Sequence, residues 1–416
     1  MPKITAIYER LVFNSRGDQA LEIDVISDNK YLGRACAPSG ASVGKFEAQS
    51  FVQNDPSATL EKFKSMKNKF IGLDSSDLKG LHEAIRAVDS SNNYSNIGGS
   101  VAYALTIASI DSASKSLDTP FYKVLNPSKS SVNLPFPLGN ILGGGAHAGP
   151  GTPDIQEFLV CPISAKSMME AVTINSQIHK ELKKTVEKID KKFTYGKGDE
   201  GAWAPNVLND AAAQLVEKSI IECGYDPKRE VRMGIDFASS SIWNKEKKIY
   251  DYNREGITRT TDQQVEYVNS LIRNYNLIYA EDPVHEEDFE NMAIITKNSP
   301  DCLVTGDDLL VTNSERIKIA ASKKACSGAI LKVNQAGSLY DAMNFARDCN
   351  SHNIKIITSH RSGESVDNHI SHIAIATDSV MIKTGVVGGE RISKLNELLR
   401  ISEYGLIEGM AKWSSV

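Results

Sequence analysis

The chain predicts an α/β protein, with a smaller N-terminal α+β domain over residues 1–130 and a C-terminal β/α barrel over 131–416. Residues 3–13, 20–27 and 30–37 read as three short strands, the first two alternating polar and apolar side chains. From residue 230 or so, apolar strand-like runs alternate with helical stripes, the pattern of a parallel sheet. Six of these runs end in an ionisable signature: MGID at Asp236, YAED at Glu281, VTGDD at Asp307, AILK at Lys332, TSHRSGE at His360 and MIK at Lys383. From Glu281 onward the gaps are 26, 25, 28 and 23 residues, room for one strand, one helix and two loops. At least six such units favour closure into a barrel, whose chemistry sits at the C-terminal ends of its strands.

The elements follow in order. NSRGD joins the first two strands as a turn. Residues 100–117 form a helix with Val101, Ala104, Leu105, Ala108 and Ser112 on one face. NPSKSSVNLPFP (126–137) is rich in Pro and Ser, has no period, and marks the domain boundary. A helix over 260–276 opens with Thr261 and Gln264 at capping-box spacing and carries Val265, Val268, Ile272 and Tyr275 inward. Another over 338–349 starts at Ser338 as N-cap, with Leu339, Ala342, Met343 and Ala346 on its stripe.

Composition narrows the function classes. A hydrophobic content of 41%, a net charge of −5 and a pI near 6.0 describe a soluble globular protein and argue against a nucleic-acid partner, which calls for a basic face. The six cysteines stand singly with no C-x-x-C pair, the usage of reduced thiols in a cytoplasmic protein. The first twenty residues lack an apolar signal region, and no apolar run reaches the ~20 residues of a membrane span.

Asp236, Glu281 and Asp307 carry the strongest chemical signal. Any one of them could simply cap the helix that follows. Converging together they repel, by about 4 kcal/mol per pair at 4 Å and an effective dielectric of 20. They therefore need a cation, and all-oxygen ligation points to Mg²⁺. Asp282 and Asp308, one residue along, are expected to face away. Lys332 and Lys383 could be rim lysines with solvated heads. Beside a metal cluster, nearby positive charge should lower a lysine's pKa, so that one serves as base while the other stabilises developing charge. Arg361, with the hydroxyls of Ser359 and Ser362, suits a phosphate or carboxylate. Glu200, Glu157 and His147 are weak signals in isolation.

Three glycine-rich segments divide. LGGGAHAGPG (142–151) loosely fits a dinucleotide loop, but Pro150 and Pro153 leave no helix after it. Gly40-x-Ser42-x-Gly44 nominally matches a nucleophile elbow, yet KFEAQSF is too polar for the buried helix that should follow. SGASVG instead reads as a mobile loop that closes over the site and offers the Ser42 hydroxyl to a metal. The GDEG stretch (198–201) is a turn by composition.

Taken in order, PSGASVG, GGGAHAG, QEF, GDEG, EDP, GDD, LKVNQ, SHRSGE and IKTG resemble the enolase family over nearly the whole chain. The resemblance implies a barrel with an irregular ββαα start, a homodimer or larger assembly, and Mg²⁺-dependent, reversible dehydration of 2-phospho-D-glycerate to phosphoenolpyruvate in glycolysis and gluconeogenesis. It implies Lys332 as the base at C2, and Glu200, assisted by Glu157, as the acid at the departing C3 hydroxyl. Asp236, Glu281 and Asp307 would hold a first Mg²⁺, and Ser42 a second that arrives with substrate. Arg361 and Ser362 would grip the phosphate and Lys383 the carboxylate, with His147, Gln156 and His360 lining the site. A non-catalytic relative kept for binding, or a paralogue acting on a phosphonate, are the alternatives. The chain departs from the family pattern at Asn14 and Asp18, at Ala202, in the two prolines after His147, and at Val387–Arg391.

Overall fold

The computed structural model describes residues 1–40, 44, 46–404 and 406–412. Strands β1 (Ile4–Phe13), β2 (Gln19–Ser27) and β3 (Tyr31–Cys36) form the expected antiparallel meander. The Asn14 side chain closes the first turn by accepting the Arg16 and Asp18 amides at 2.9 and 3.0 Å. In the second turn Asp28 and Asn29 take left-handed φ, which short polar side chains tolerate best.

The helix Gly99–Ser116 packs on β2 and β3 and, on its other side, against Leu339–Ser351. It is buried nearly all round and not along one stripe, so a single apolar face underestimates it. Its small residues permit this close approach. Gly33 is the tightest point: a Cβ there would lie 2.0 Å from the Ala108 carbonyl oxygen and 2.3 Å from the Ser112 nitrogen. Gly33→Ala should therefore destabilise the chain by about 1–3 kcal/mol or more, as overpacking does. An unchanged denaturation midpoint would show that the helix can move off the sheet without penalty.

Two corrections follow. The Pro/Ser-rich stretch is not wholly irregular, because β4 (Val132–Leu134) pairs in parallel with β16 (Ile407–Met410). Three residues are too few to show a period. The helix Thr261–Tyr275 is capped by Thr260, not Thr261: Thr260 and Gln263 exchange the reciprocal capping bonds. Gln264 instead turns inward, accepting from the Tyr252 hydroxyl and donating to the Pro283 carbonyl, each at 2.9 Å. Ser338 caps its helix as expected.

The barrel strands are β5 (Phe136–Gly143), β6 (Glu157–Cys161), β7 (Arg232–Asp236), β11 (Tyr279–Glu281), β12 (Leu303–Gly306), β13 (Gly328–Leu331), β14 (Lys355–Ser359) and β15 (Met381–Lys383). They close in that order, β15 pairing back onto β5. A small antiparallel sheet of β8 (Trp243–Asn244), β9 (Ile249–Tyr252) and β10 (Ile257–Thr260) sits between β7 and β11 in the sequence. β6 runs antiparallel to both neighbours, and the helices Met168–Ile189 and Asn209–Glu222 follow it, giving the ββαα start. Leu138, Leu159, Tyr279, Leu303, Ile330, Ile357 and Met381 form one buried cluster. Tyr279 stands two residues before Glu281, and Met381 two before Lys383. Alternation therefore stacks each charged tip directly over the apolar filling.

All six cysteines are free, and all but Cys223 are buried. Among the described residues no helix is long and apolar enough to cross a membrane.

Candidate active site

Reversal of β6 brings its first residue to the rim where the other strands end. Glu157 pairs in register with Asp236, and Asp236 with Glu281, so three carboxylates stand in a row on adjacent strands. All three are buried. β15 lies across the mouth from β11, and the Lys383 ammonium reaches the row at 3.0 Å from Glu157, 2.9 Å from Asp236 and 2.6 Å from Glu281. Burial opposes the Lys383 charge, but the three carboxylates outweigh it and hold the ammonium well above its ordinary range. Burial and then the Asp236 charge push Glu281 up to about 8. Glu281 also accepts the Tyr279 hydroxyl at 2.6 Å. Its Oε1 has no hydrogen-bond partner among the described residues.

Beyond the tip of β12, Asp307 pairs with the Lys332 ammonium and accepts the Gln335 amide at 3.0 Å. Burial works against the Lys332 charge, but Asp307 and Glu281 together outweigh it and raise the lysine. The expected lowering by positive neighbours is thus reversed in this arrangement, because the nearest partner is an anion. The expectation that Asp282 and Asp308 face away also fails. Asp282 leaves the strand with φ +39°, which breaks the alternation. Its carboxylate takes the Asp307 and Asp308 amides at 3.0 and 2.7 Å, and all three aspartates can bring an oxygen within 4.8 Å of one another.

The SHRSGE loop leaves β14 on the same rim. Arg361 holds Glu47 at 3.1 Å and Asn334 at 3.0 Å. Arg391, fully buried, pins this loop through the Arg361 and Ser362 carbonyls at 2.5 and 2.7 Å, and reaches the Asp199 carbonyl at 3.1 Å. It also meets His360 Nδ1 at 2.9 Å, leaving Nε2 facing Glu200 at 3.2 Å. Burial drives His360 down to about 4. His147 behaves oppositely: burial would lower it, but Glu200 and its 2.9 Å contact with Glu157 push it up to about 9. Burial and the Glu200 charge raise Glu157. Glu200, which burial would raise, is instead held well below the ordinary carboxylate range by His360 and His147, so the cluster holds its proton on His147 and Glu157.

These groups line one cleft of about 420 Å³. Of the residues singled out from the sequence, His147, Gln156, Glu157, Glu200, Asp236, Asp307, Lys332, His360, Arg361, Ser362 and Lys383 face it. Gln156 donates to Asp236 at 3.2 Å. Glu281 sits behind Lys383, and Ser42 lies outside the described residues.

A family model described as the enolase C-terminal TIM barrel domain matches residues 131–412, and one described as the enolase N-terminal domain matches residues 4–125. The enolase of Methanosphaera stadtmanae is 41% identical over 404 residues, 97% of each chain. The enolase of Methanothermobacter thermautotrophicus is 38% identical over 396 residues, 95% of each chain. That of Methanocorpusculum labreanum is 40% identical over 406 residues, covering 97% of this chain and all of its own. The chain belongs to the enolase family.

In this enolase-family cleft the donors suit a hard divalent cation. Asp236, Glu281 and Asp307 offer carboxylate oxygens alone, and Glu281 Oε1 is buried with no hydrogen-bond partner among the described residues. Asp308 is pushed up to about 7 by burial and then by Asp307, a strain that a cation would relieve. Several residues that build the site were not singled out from the sequence. Glu47, Asn334, Gln335 and Arg391 had no strand-tip position to single them out. The first of these follows the SGASVG loop, the next two lie within LKVNQ, and the last sits in a stretch noted only as a departure.

Proposed function

We infer that this chain dehydrates 2-phospho-D-glycerate reversibly to phosphoenolpyruvate, as a Mg²⁺-dependent carbon–oxygen lyase. The observation that carries the reading is the placement of base and acid. Lys332 follows β13 and Glu157 opens β6, four strands apart in either direction round an eight-stranded ring, with Glu200 beside Glu157. The cleft thus has a lysine on one wall and a proton-holding carboxylate cluster on the other, as an elimination across opposite faces requires.

The Lys332 amine, once separated from Asp307, takes the C2 proton. The electron pair of the C2–H bond becomes the C2–C3 double bond as the C3–O bond breaks. Glu200, supplied with the proton that His147 and Glu157 hold, passes it to the departing hydroxyl, which leaves as water. Lys383, held protonated, steadies the substrate carboxylate on which charge builds. Arg361 and Ser362 take the phosphate, and Arg391 fixes the loop that carries them. Asp236, Glu281 and Asp307 would hold a first Mg²⁺, and Ser42 a second. When bound, the metal supplies Lewis-acid stabilisation of the substrate carboxylate. The same reading carries a cytoplasmic homo-oligomer.

Phosphoenolpyruvate formation followed by ultraviolet absorbance tests this. Turnover should need Mg²⁺, vanish with EDTA and return on adding excess Mg²⁺. Absence of turnover with Mg²⁺ present would overturn the reaction, and turnover resistant to the chelator would overturn the metal assignment.

A further inference from the structure

Val311 and Thr312 are consecutive β-branched residues with φ of +43° and +49°. Side chains branched at Cβ fit that region poorly, so the surroundings must hold the turn in place. Both residues are buried. The Thr312 hydroxyl has two contacts at 2.9 Å, with the Ile330 carbonyl further off at 3.4 Å. It accepts the Lys332 amide at 2.9 Å, one residue past the end of β13, where strand pairing has stopped. It donates to Gln335 Oε1 at 2.9 Å. That bond fixes which way the Gln335 amide points, because its oxygen is committed to Thr312. The NH₂ is then aimed at Asp307 Oδ1, 3.0 Å away, and at Glu47 Oε1, 3.4 Å away. Glu47 in turn holds Arg361.

We propose that Thr312 is a positioning residue for proton abstraction: its strained turn delivers one hydroxyl that seats the Lys332 backbone and orients Gln335 against Asp307. The inference rests on Lys332 being the base. A hydroxyl buried in an ordinary loop would find a carbonyl of its own turn, as Thr152 does with Gly149 at 2.8 Å. Thr312 instead reaches across to the strand that carries the base.

Thr312→Val keeps the branched shape and removes the hydroxyl; Thr312→Ser keeps the hydroxyl. Solvent exchange of the C2 proton of 2-phosphoglycerate reads the abstraction step apart from water loss. Thr312→Val should slow that exchange by about 10²-fold, the scale of a small misplacement of a reacting group, with KM little changed. Thr312→Ser should stay near wild type. Wild-type exchange is the control for the underlying reading: if the unaltered chain exchanges nothing, the lysine assignment fails first. With wild-type exchange in hand, equal rates in Thr312→Val overturn the positioning role. A serine variant as slow as the valine variant overturns it too. Should Thr312→Val not fold, Thr312→Ala removes the hydroxyl without adding bulk, and loss of the fold in both variants overturns positioning in favour of a purely structural role.

Discussion

Lys332→Ala is expected to lower turnover by about 10²–10⁴-fold, the contribution of a positioned general base, while leaving substrate affinity within a few-fold. On the proposed assignment the base acts in the transition state, and the groups proposed to grip phosphate and carboxylate stay in place. Steady-state kinetics should therefore show a fall in kcat with KM nearly constant. A large rise in KM at retained kcat would make Lys332 a binding residue. Glu200→Gln provides the contrast. It should abolish dehydration while C2 exchange survives, because Lys332 stands on the opposite wall, after β13. Loss of both activities in Glu200→Gln would merge roles that the cleft keeps apart.

Lys383→Met should strike stability as well as catalysis. It leaves Glu157, Asp236 and Glu281 buried with the cation they share removed. Breaking a buried ion pair by deleting one partner destabilises by about 3–5 kcal/mol, and here three anions lose the same partner. Metal-free calorimetry should show a lower melting temperature. The sign with pH follows from Glu281, raised to about 8 by burial and Asp236 even with the lysine present. A carboxyl raised in the folded state is harmless while protonated and becomes a burden as pH rises through that value. The deficit of Lys383→Met should therefore widen on going alkaline and shrink on acidification. Added Mg²⁺ should restore part of the loss. An unchanged melting temperature in EDTA would mean that the three acids do not depend on Lys383.

Much of this was legible in the chain because barrels repeat. An apolar run ending in Asp236, Glu281 or Lys383 announces both a strand and its tip, and regular gaps announce the crossovers between them. The first two strands of the meander were visible for a like reason, since alternation shows over the lengths of β1 and β2. Shorter or non-periodic features were not. Val132–Leu134 is too brief to alternate, and two adjacent threonines concealed which one capped the helix after β10. Asp282 escaped because one left-handed φ cancels the rule that neighbours face opposite ways. Glu47, Gln335 and Arg391 have partners more than two hundred residues away or in another loop, so only closure of the ring reveals what they touch. The same closure reversed the expected electrostatics of Lys332, whose nearest partner is Asp307.

The inverted direction of β6 has a consequence of parity. In a regular barrel each strand climbs and each helix descends, so every pair sends a single connection over the catalytic end. A descending strand needs an ascending helix to restore the count, and the chain must then cross the top once more before β7 can begin. That crossing is the stretch between Ile189 and Asn209, which carries Glu200, and the hairpin before it carries His147 and Gln156. The half of the mouth opposite Lys332 thus keeps the two top connections that two ordinary pairs would leave, but one is a strand-to-strand hairpin and the other joins two helices.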